Sequence, residues 1–394
     1  MIRHVFTLMW QRKGANALII VELLVTFLIL FALTGFSLNL YRLYNTPLGF
    51  NVANTWSVAI STNGTLQATD QSTLQQLLQV VDQMDAVEAT ELLSDRPFSF
   101  GESAMFAEVR GKQFRAAMNS ASATLPEAIG MQLVEGRWFG PQDESPVAGD
   151  QNIAPILVNR TFSEAAGGDV VGLVIPNGPT SQRRIVGVFE DFRQDGEFYA
   201  SKPLMMMRLQ PESEFRAPPT LVLLVRPGAT AQFEEQLQNV LQRTAPGWDF
   251  DVDSWTSLQQ AHFQTFMIPL LIAAVVVLFL LVMVGFGMLG VLWQNVIRRT
   301  PEMGLRRALG ASAGSVRLQV VLELLAVACL ALVLGVALVV QLPLAGVIQA
   351  MDWNLFIPSV AVSTLVLLAL CILFALYPSY QATRKDPVEA LRYE

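Results

Sequence analysis

Charge is what this chain has least of. Of its 394 residues 15% are charged, against roughly 25% in an average soluble domain, and 52% are apolar. A chain dissolved in water over its whole length is excluded. Histidine and cysteine are scarce too, with only His4, His262, Cys329 and Cys371. Both cysteines fall in long apolar runs, so no His/Cys zinc site can close in water and no disulfide staples the polar part of the chain. No Gly-x-x-x-x-Gly-Lys-Ser/Thr occurs, hence no P-loop to cradle nucleotide phosphates. There is no Gly-x-Ser-x-Gly elbow, and His262 borders an apolar run, which argues against a hydrolase triad. Asp249, Asp251 and Asp253 begin like a calcium loop. However, Ser254 and Gln260 stand where Gly and Glu are needed, so the stretch reads as a strand with its carboxylates in water. The chain is expected to be no enzyme by itself.

The charge that is present is unevenly placed. Between Tyr41 and Phe263 stand 15 Lys/Arg and 26 Asp/Glu, a net charge of −11. Outside that stretch, charges crowd between apolar runs. Crossing about 30 Å of hydrocarbon takes about 20 apolar helical residues. Four segments qualify: Ala17 to about Leu40, containing Glu22; Met267 to Leu292; about Leu318 to Leu342, containing Glu323; and Ile357 to Leu376. The first is too long for a signal h-region, and no small-residue cleavage site follows it, so it reads as an uncleaved anchor. Lys and Arg in the short flanking segments are biased to one side of the spans. Arg3, Arg12 and Lys13, then Arg298, Arg299, Arg306, Arg307 and Arg317, then Arg384, Lys385 and Arg392 contrast with Pro343–Phe356, which has none. Both termini and the 292–317 connection are therefore expected in the cytoplasm, with 41–263 outside.

Within the outward part, Asn54–Ile60, Met105–Val109, Ile156–Val158, Arg184–Phe189 and Leu221–Val225 read as strands. Ser72–Met84 and Phe233–Leu241 carry apolar residues at helical spacing. A mixed α/β domain of two lobes is expected, and Met205-Met206-Met207 reads as a buried strand in preference to a cargo site. Gly285-Phe286-Gly287-Met288-Leu289-Gly290 has the spacing of a dinucleotide loop but no strand before it. Inside an apolar run, such small residues point to close helix packing, as do Ala331 and Gly335.

The cytoplasmic connection contains Thr300, a candidate cap, then Pro301 at a first helical position and Glu302 beside the positive end of the helix. Leu305, Ala308 and Leu309 make an apolar face flanked by Arg306 and Arg307, and Gly310 ends it. Such a helix either docks on a partner or lies on lipid headgroups.

The run Glu302-Met303-Gly304-Leu305-Arg306-Arg307-Ala308-Leu309-Gly310-Ala311, followed by Gln319 and Glu323, resembles the loop signature of FtsX-like permeases of the MacB type. The tail Tyr377-Pro378 … Arg384-Lys385-Asp386-Pro387-Val388-Glu389-Ala390-Leu391-Arg392 is similar to the family's C-terminal signature, although Ser379 stands where Ala is more usual. In the outward part, Glu135-Gly136-Arg137-Trp138-Phe139, Leu157-Val158-Asn159 and Ile185–Phe192 are similar to family segments as well.

The resemblance implies an α-helical membrane protein with four transmembrane helices and a large mixed α/β periplasmic domain. That domain would combine a porter-like lobe with an inserted β-rich, sabre-like lobe at about 121–200. It implies segments 1–45 (N-terminus and first span), 46–262 (periplasmic domain) and 263–394 (permease domain with three spans), in a bacterial inner membrane. Residues about 301–312 would be a coupling helix seated on a cytoplasmic ABC ATPase dimer, through Glu302, Gly304, Leu305, Arg306, Arg307, Leu309 and Gly310. ATP and Mg would bind that partner ATPase, and this chain would hold no cofactor. A second permease, identical or paralogous, and membrane lipids are the other implied partners, and nucleic acid is not one. An export role for a peptide, antibiotic or lipid-linked cargo would add a periplasmic adaptor and an outer-membrane channel. The alternative is a signalling complex that controls a periplasmic or cell-wall enzyme without moving cargo. Glu22 and Glu323 each cost about 2.5–3.5 kcal/mol inside a span and so need a partner. Either they lean toward loop donors such as Arg306, Arg307 or Arg317, or they tie the coupling helix to the spans.

Overall fold

The computed structural model describes residues 13–62, 68–99, 101, 103–143, 153–176, 182–209, 218–228, 231–308, 312–344 and 353–384. The chain divides into two compact units: Leu43–Met267, and Met1–Arg42 with Ile268–Glu394.

Eleven strands of Leu43–Met267 form one sheet. In chain order they are β1 (Thr55–Ser61), β2 (Val87–Leu93), β3 (Ser103–Val109), β4 (Lys112–Ala121), β5 (Leu133–Gly136), β6 (Ile153–Asn159), β7 (Val174–Pro176), β8 (Gln182–Phe189), β9 (Leu204–Arg208), β10 (Thr220–Val225) and β11 (Asp249–Ser254). Their spatial order is β11-β1-β10-β2-β4-β9-β6-β8-β5, with β3 added to β4 and β7 to β8. Between β2 and β4 the pairing narrows to a single register position, Leu93 opposite Ala121. The sheet therefore has two halves.

In the first half, β10 (Thr-Leu-Val-Leu-Leu-Val) is buried on both faces, which is why it reads as an unbroken apolar run. The preceding Pro218-Pro219 cannot join a ladder and so sets its start. Helices Ala68–Asp82 and Ala231–Thr244 cover one face with Leu74, Leu77 and Val81, and with Phe233, Leu237 and Leu241. These spacings of three and four put each trio on one helical stripe.

The second half runs from Ser103 to Arg208, because β3 pairs with β4 along its full length and β9 lies between β4 and β6. The two faces of this half belong to different cores. Leu157, Phe189 and Met206 pack with Leu93, Val222 and Trp255. Ile156, Val158 and Met205, one residue out of step, pack with Phe162 of the helix Arg160–Ala166. The Met205–Met207 run thus serves both cores, as alternation along a strand dictates.

The other unit is built from helices, here α1 (Lys13–Tyr44), α6 (Trp255–Ala308), α7 (Ala313–Leu344) and α8 (Trp353–Arg384); α2 to α5 are Ala68–Asp82, Leu125–Ala128, Arg160–Ala166 and Ala231–Thr244. Among the described residues four stretches are long and apolar enough to cross a membrane: Ala17–Tyr44, Trp255–Gly287, Leu324–Gln341 and Trp353–Leu376. Leu23 and Phe27 of α1 pack with Ala328 and Ala331 of α7 and with Leu367 and Cys371 of α8. Gly335 lies against Phe27, and a Cβ added there would stand 2.5 Å from the ring. The small-residue reading of Ala331 and Gly335 therefore describes a real close approach.

One expectation fails here. Thr300 and Pro301 do not open a separate helix. α6 runs without a break from Trp255 to Ala308, so no helix starts at Thr300. Proline's fixed φ is compatible with an ongoing helix, at the loss of one hydrogen bond to the preceding turn and with crowding against the carbonyl four residues back. The true cap nearby is Ser312, whose hydroxyl oxygen accepts from Ser315 N at 3.2 Å at the start of α7.

Candidate functional site

Three sets of residues bear on function: the segment at the end of α6, the carboxylates within the spans, and a buried polar clasp in Leu43–Met267. Of the first set, Glu302, Gly304, Leu305, Arg306 and Arg307 lie on the last turns of α6, while Leu309 and Gly310 lie outside the described residues. At helical spacing Leu305 and Ala308 fall on one side and Arg306 beside it.

Glu22 lies on α1, half-buried. Its carboxylate packs against Gly287 of α6, where any Cβ would collide with Oε1. The glycine-rich run and the intramembrane acid, which were separate features of the sequence, thus meet in one place. Gly285, two residues earlier, lies against the ring of Phe374 of α8 in the same way. The loop arginines considered as partners for Glu22 have side chains outside the described residues, as does Glu323, whose backbone belongs to α7.

The clasp was not visible in the sequence. Arg193 is 4% exposed. Its guanidinium donates to the carbonyls of Leu43 (3.0 Å) and Thr46 (2.6 Å), where the chain leaves α1. It also donates to those of Glu197 (2.6 Å) and Tyr199 (2.8 Å), in the loop after β8. Burial pushes its pKa down, and the nearby Glu197 and Asp191 push it up. Carbonyl dipoles thus take the place of a direct ion pair.

Glu197 is itself buried and accepts a hydrogen bond from the Gln259 amide on the first turns of α6. Phe198 fills the space beside it, its ring 6.2 Å from Tyr44, 5.6 Å from Phe263 and 5.1 Å from Phe266. Gly196 has φ +92° and sits against the His262 ring, where a side chain would meet ring atoms at 2.9 Å. One loop therefore grips the end of α1 and the beginning of α6 together. A lone arginine after the Asp191-Phe192 pair gave no periodic signal, because its partners lie as many as 150 residues away.

Two of the sequence segments quoted above turn out to be one structural joint. Asn159, fully buried, accepts from Phe162 N (3.0 Å) and Leu204 N (2.8 Å). It donates to Asp191 Oδ1 (2.8 Å) and Lys202 O (2.7 Å). Asp191 also accepts from Thr161 N at 3.0 Å. The joint anchors the loop of the clasp from behind. Arg137, from a third segment, pairs with Asp143 at 2.5 Å and holds that carboxyl below its ordinary range.

Residues 262–387 match the family model described as FtsX-like permease C-terminal. Over 278 residues the chain is 28% identical to the macrolide export ATP-binding/permease protein MacB 2 of Aeromonas hydrophila, covering 67% of this chain and 41% of that one. Identity is 29% over 300 residues with the macrolide export ATP-binding/permease protein MacB of Escherichia coli (strain K12), covering 71% and 44%. With the pyoverdine export ATP-binding/permease protein PvdT of Pseudomonas savastanoi pv. phaseolicola it is 26% over 281 residues, covering 68% and 42%. The chain spans less than half the length of these curated relatives. Among solved structures, the periplasmic region of MacB from Actinobacillus actinomycetemcomitans aligns at 12% identity with a TM-score of 0.39, covering 56% of this chain and 97% of that one.

Proposed function

We propose that this chain, a permease of the FtsX/MacB type, is the membrane subunit of an ABC exporter whose ATP-binding part is a separate cytoplasmic dimer. The observation that carries the reading is α6. This single helix of 54 residues contains the Gln259–Phe266 contacts of the clasp near its start and Glu302–Arg307 near its end. Its 54 residues are far more than the about 20 that cross about 30 Å of hydrocarbon.

In this reading the ATPase dimer binds ATP and Mg and grips residues 301–312. Closure of the dimer drives α6, and a second permease moves with the first. The 46–262 domain, on the periplasmic side of a bacterial inner membrane with both termini in the cytoplasm, changes shape in response. Its β11-β1-β10-β2 half with the two covering helices would be the porter-like lobe, and Ser103–Arg208 the inserted β-rich lobe. Relatives named for macrolide and pyoverdine export support a cargo of peptide, antibiotic or lipid-linked type, passed to an adaptor and an outer-membrane channel. No P-loop occurs within these 394 residues, so in this reading the ATP-binding motor lies outside them.

The test is Arg306→Glu with Arg307→Glu in the full chain. The double variant should insert normally but fail to co-purify with the ATPase in mild detergent. Undiminished co-purification would remove the coupling-helix assignment.

A further inference from the structure

We propose that the clasp loop is also a lipid-binding foot: Tyr199 and the ring cluster beside it sit at the headgroup level of the bilayer and hold phospholipid. The loop contributes Phe198 and Tyr199, which touch rings from two helices that qualify as membrane spans. Tyr44 is the last residue of the stretch Ala17–Tyr44, and Phe263 and Phe266 lie inside Trp255–Gly287. Phe198 is buried among them, whereas Tyr199 is 38% exposed with its ring 5.3 Å from Phe266. Lys202 stands 5.9 Å over the Tyr199 ring and pairs with Asp195 at 2.7 Å.

Chemistry picks the occupant. A tyrosine with an apolar body and a polar tip, next to a long basic side chain and at the end of an apolar helix, matches the interface between acyl chains and headgroups. Water alone would leave Tyr44 beside Phe263, and Tyr199 beside Phe266, as exposed apolar surface. The loop is also firmly held. Arg193 and the Asn159–Asp191 joint fix its backbone, so Tyr199 cannot simply swing away from the membrane. The sequence neighbours of this loop give no hint of a membrane role, since it lies in the middle of a polar domain.

The inference rests on α6 lying in a bilayer, and the test separates the two. In the full chain with Cys329→Ala and Cys371→Ala, nitroxide labels are placed through Tyr199→Cys, through Leu271→Cys on the exposed face of α6, and through Phe106→Cys on β3. Each variant is reconstituted into phosphatidylcholine–phosphatidylglycerol vesicles. Collision rates with dissolved oxygen and with a water-soluble nickel chelate are then compared. The oxygen-to-nickel ratio at 199 should be several-fold above that at 106 and below that at 271. A ratio equal to that at 106 places the loop in water and overturns the foot. Low collision with both reagents means protein covers the site, a second copy or another subunit, and overturns it as well. A low ratio at 271 would instead remove the membrane placement of α6. As a second measurement free of labels, Tyr199→Trp should add quenching by brominated phospholipid beyond that of the wild-type chain; no added quenching counts against the foot.

Discussion

The two units of this chain satisfy their polar groups in opposite ways. In the helical unit three buried hydroxyls within spans turn back on their own helix. Thr26 donates to the carbonyl of Glu22, Ser359 to that of Leu355 and Ser363 to that of Ser359, each four residues back. In Leu43–Met267 polar side chains reach across the chain instead. Arg96 pairs with Asp253, 157 residues away, and the Asn119 amide donates to Gln194, 75 residues away. The difference follows from the solvent. In an apolar medium a hydroxyl left open is costly, and its own helix offers the nearest acceptor, so association is left to packing. In water a polar group has an alternative partner. A buried long-range network is then kept only where its geometry is complete, and there it specifies which strands and loops come together.

Breaking the long-range network should have the largest effect. Asn159→Ala leaves the N–H groups of Phe162 and Leu204 buried without acceptors. We expect a loss of about 3 kcal/mol, seen as a lowered thermal midpoint of the purified full chain. If the midpoint is unchanged, the joint is not what holds the loop.

The helical unit should be more sensitive to shape than to polarity. Gly335→Leu forces a side chain into the Phe27 ring and should cost about 1–3 kcal/mol in detergent stability. Ser363→Ala, which removes only a local hydrogen bond, should cost no more than about 0.6 kcal/mol. The reverse ranking would erase the contrast between the units.

The smallest effect concerns acid. Asp143 is held below the ordinary carboxylate range first by its hydrogen bond from Arg137, helped by Gly140 N. A carboxyl depressed in the fold contributes stability that is present above its unfolded pKa and is lost as pH falls through the folded value. Asp143→Asn should therefore flatten the acid limb of a stability-versus-pH curve and lower stability at neutral pH. Asp95 works in the other direction, because burial raises it, so its contribution is present at low pH and is lost as pH rises through its raised value. Asp95→Asn should accordingly leave the acid limb in place.

Much of the fold was legible without coordinates. The four apolar stretches, the two amphipathic helices and seven of the eleven described strands follow from periodicity, composition and the cost of burying charge, all of which are read within a window of twenty residues. β4 escaped notice because its buried face mixes Ala116 and Met118 while its other face buries Asn119, so no apolar alternation marks it. β2, with Thr90 and Glu91 in its middle, escaped for the same reason. Thr300-Pro301 misled because the local signs of a helix start are also tolerated inside a helix already under way.

For the site, sequence marked Glu22 and the Gly285–Gly290 run but not their meeting, and it left Arg193 and its loop unmarked. Composition and the placement of Lys and Arg by themselves determined a membrane protein with one large polar domain, since transfer of a side chain between water and hydrocarbon depends on that side chain alone. Which glycine admits Glu22, which four carbonyls receive Arg193 and which helices the Phe198 loop grips were decided only by tertiary structure. Each of these needs groups brought together from distant parts of the chain, and no local pattern encodes such a distance.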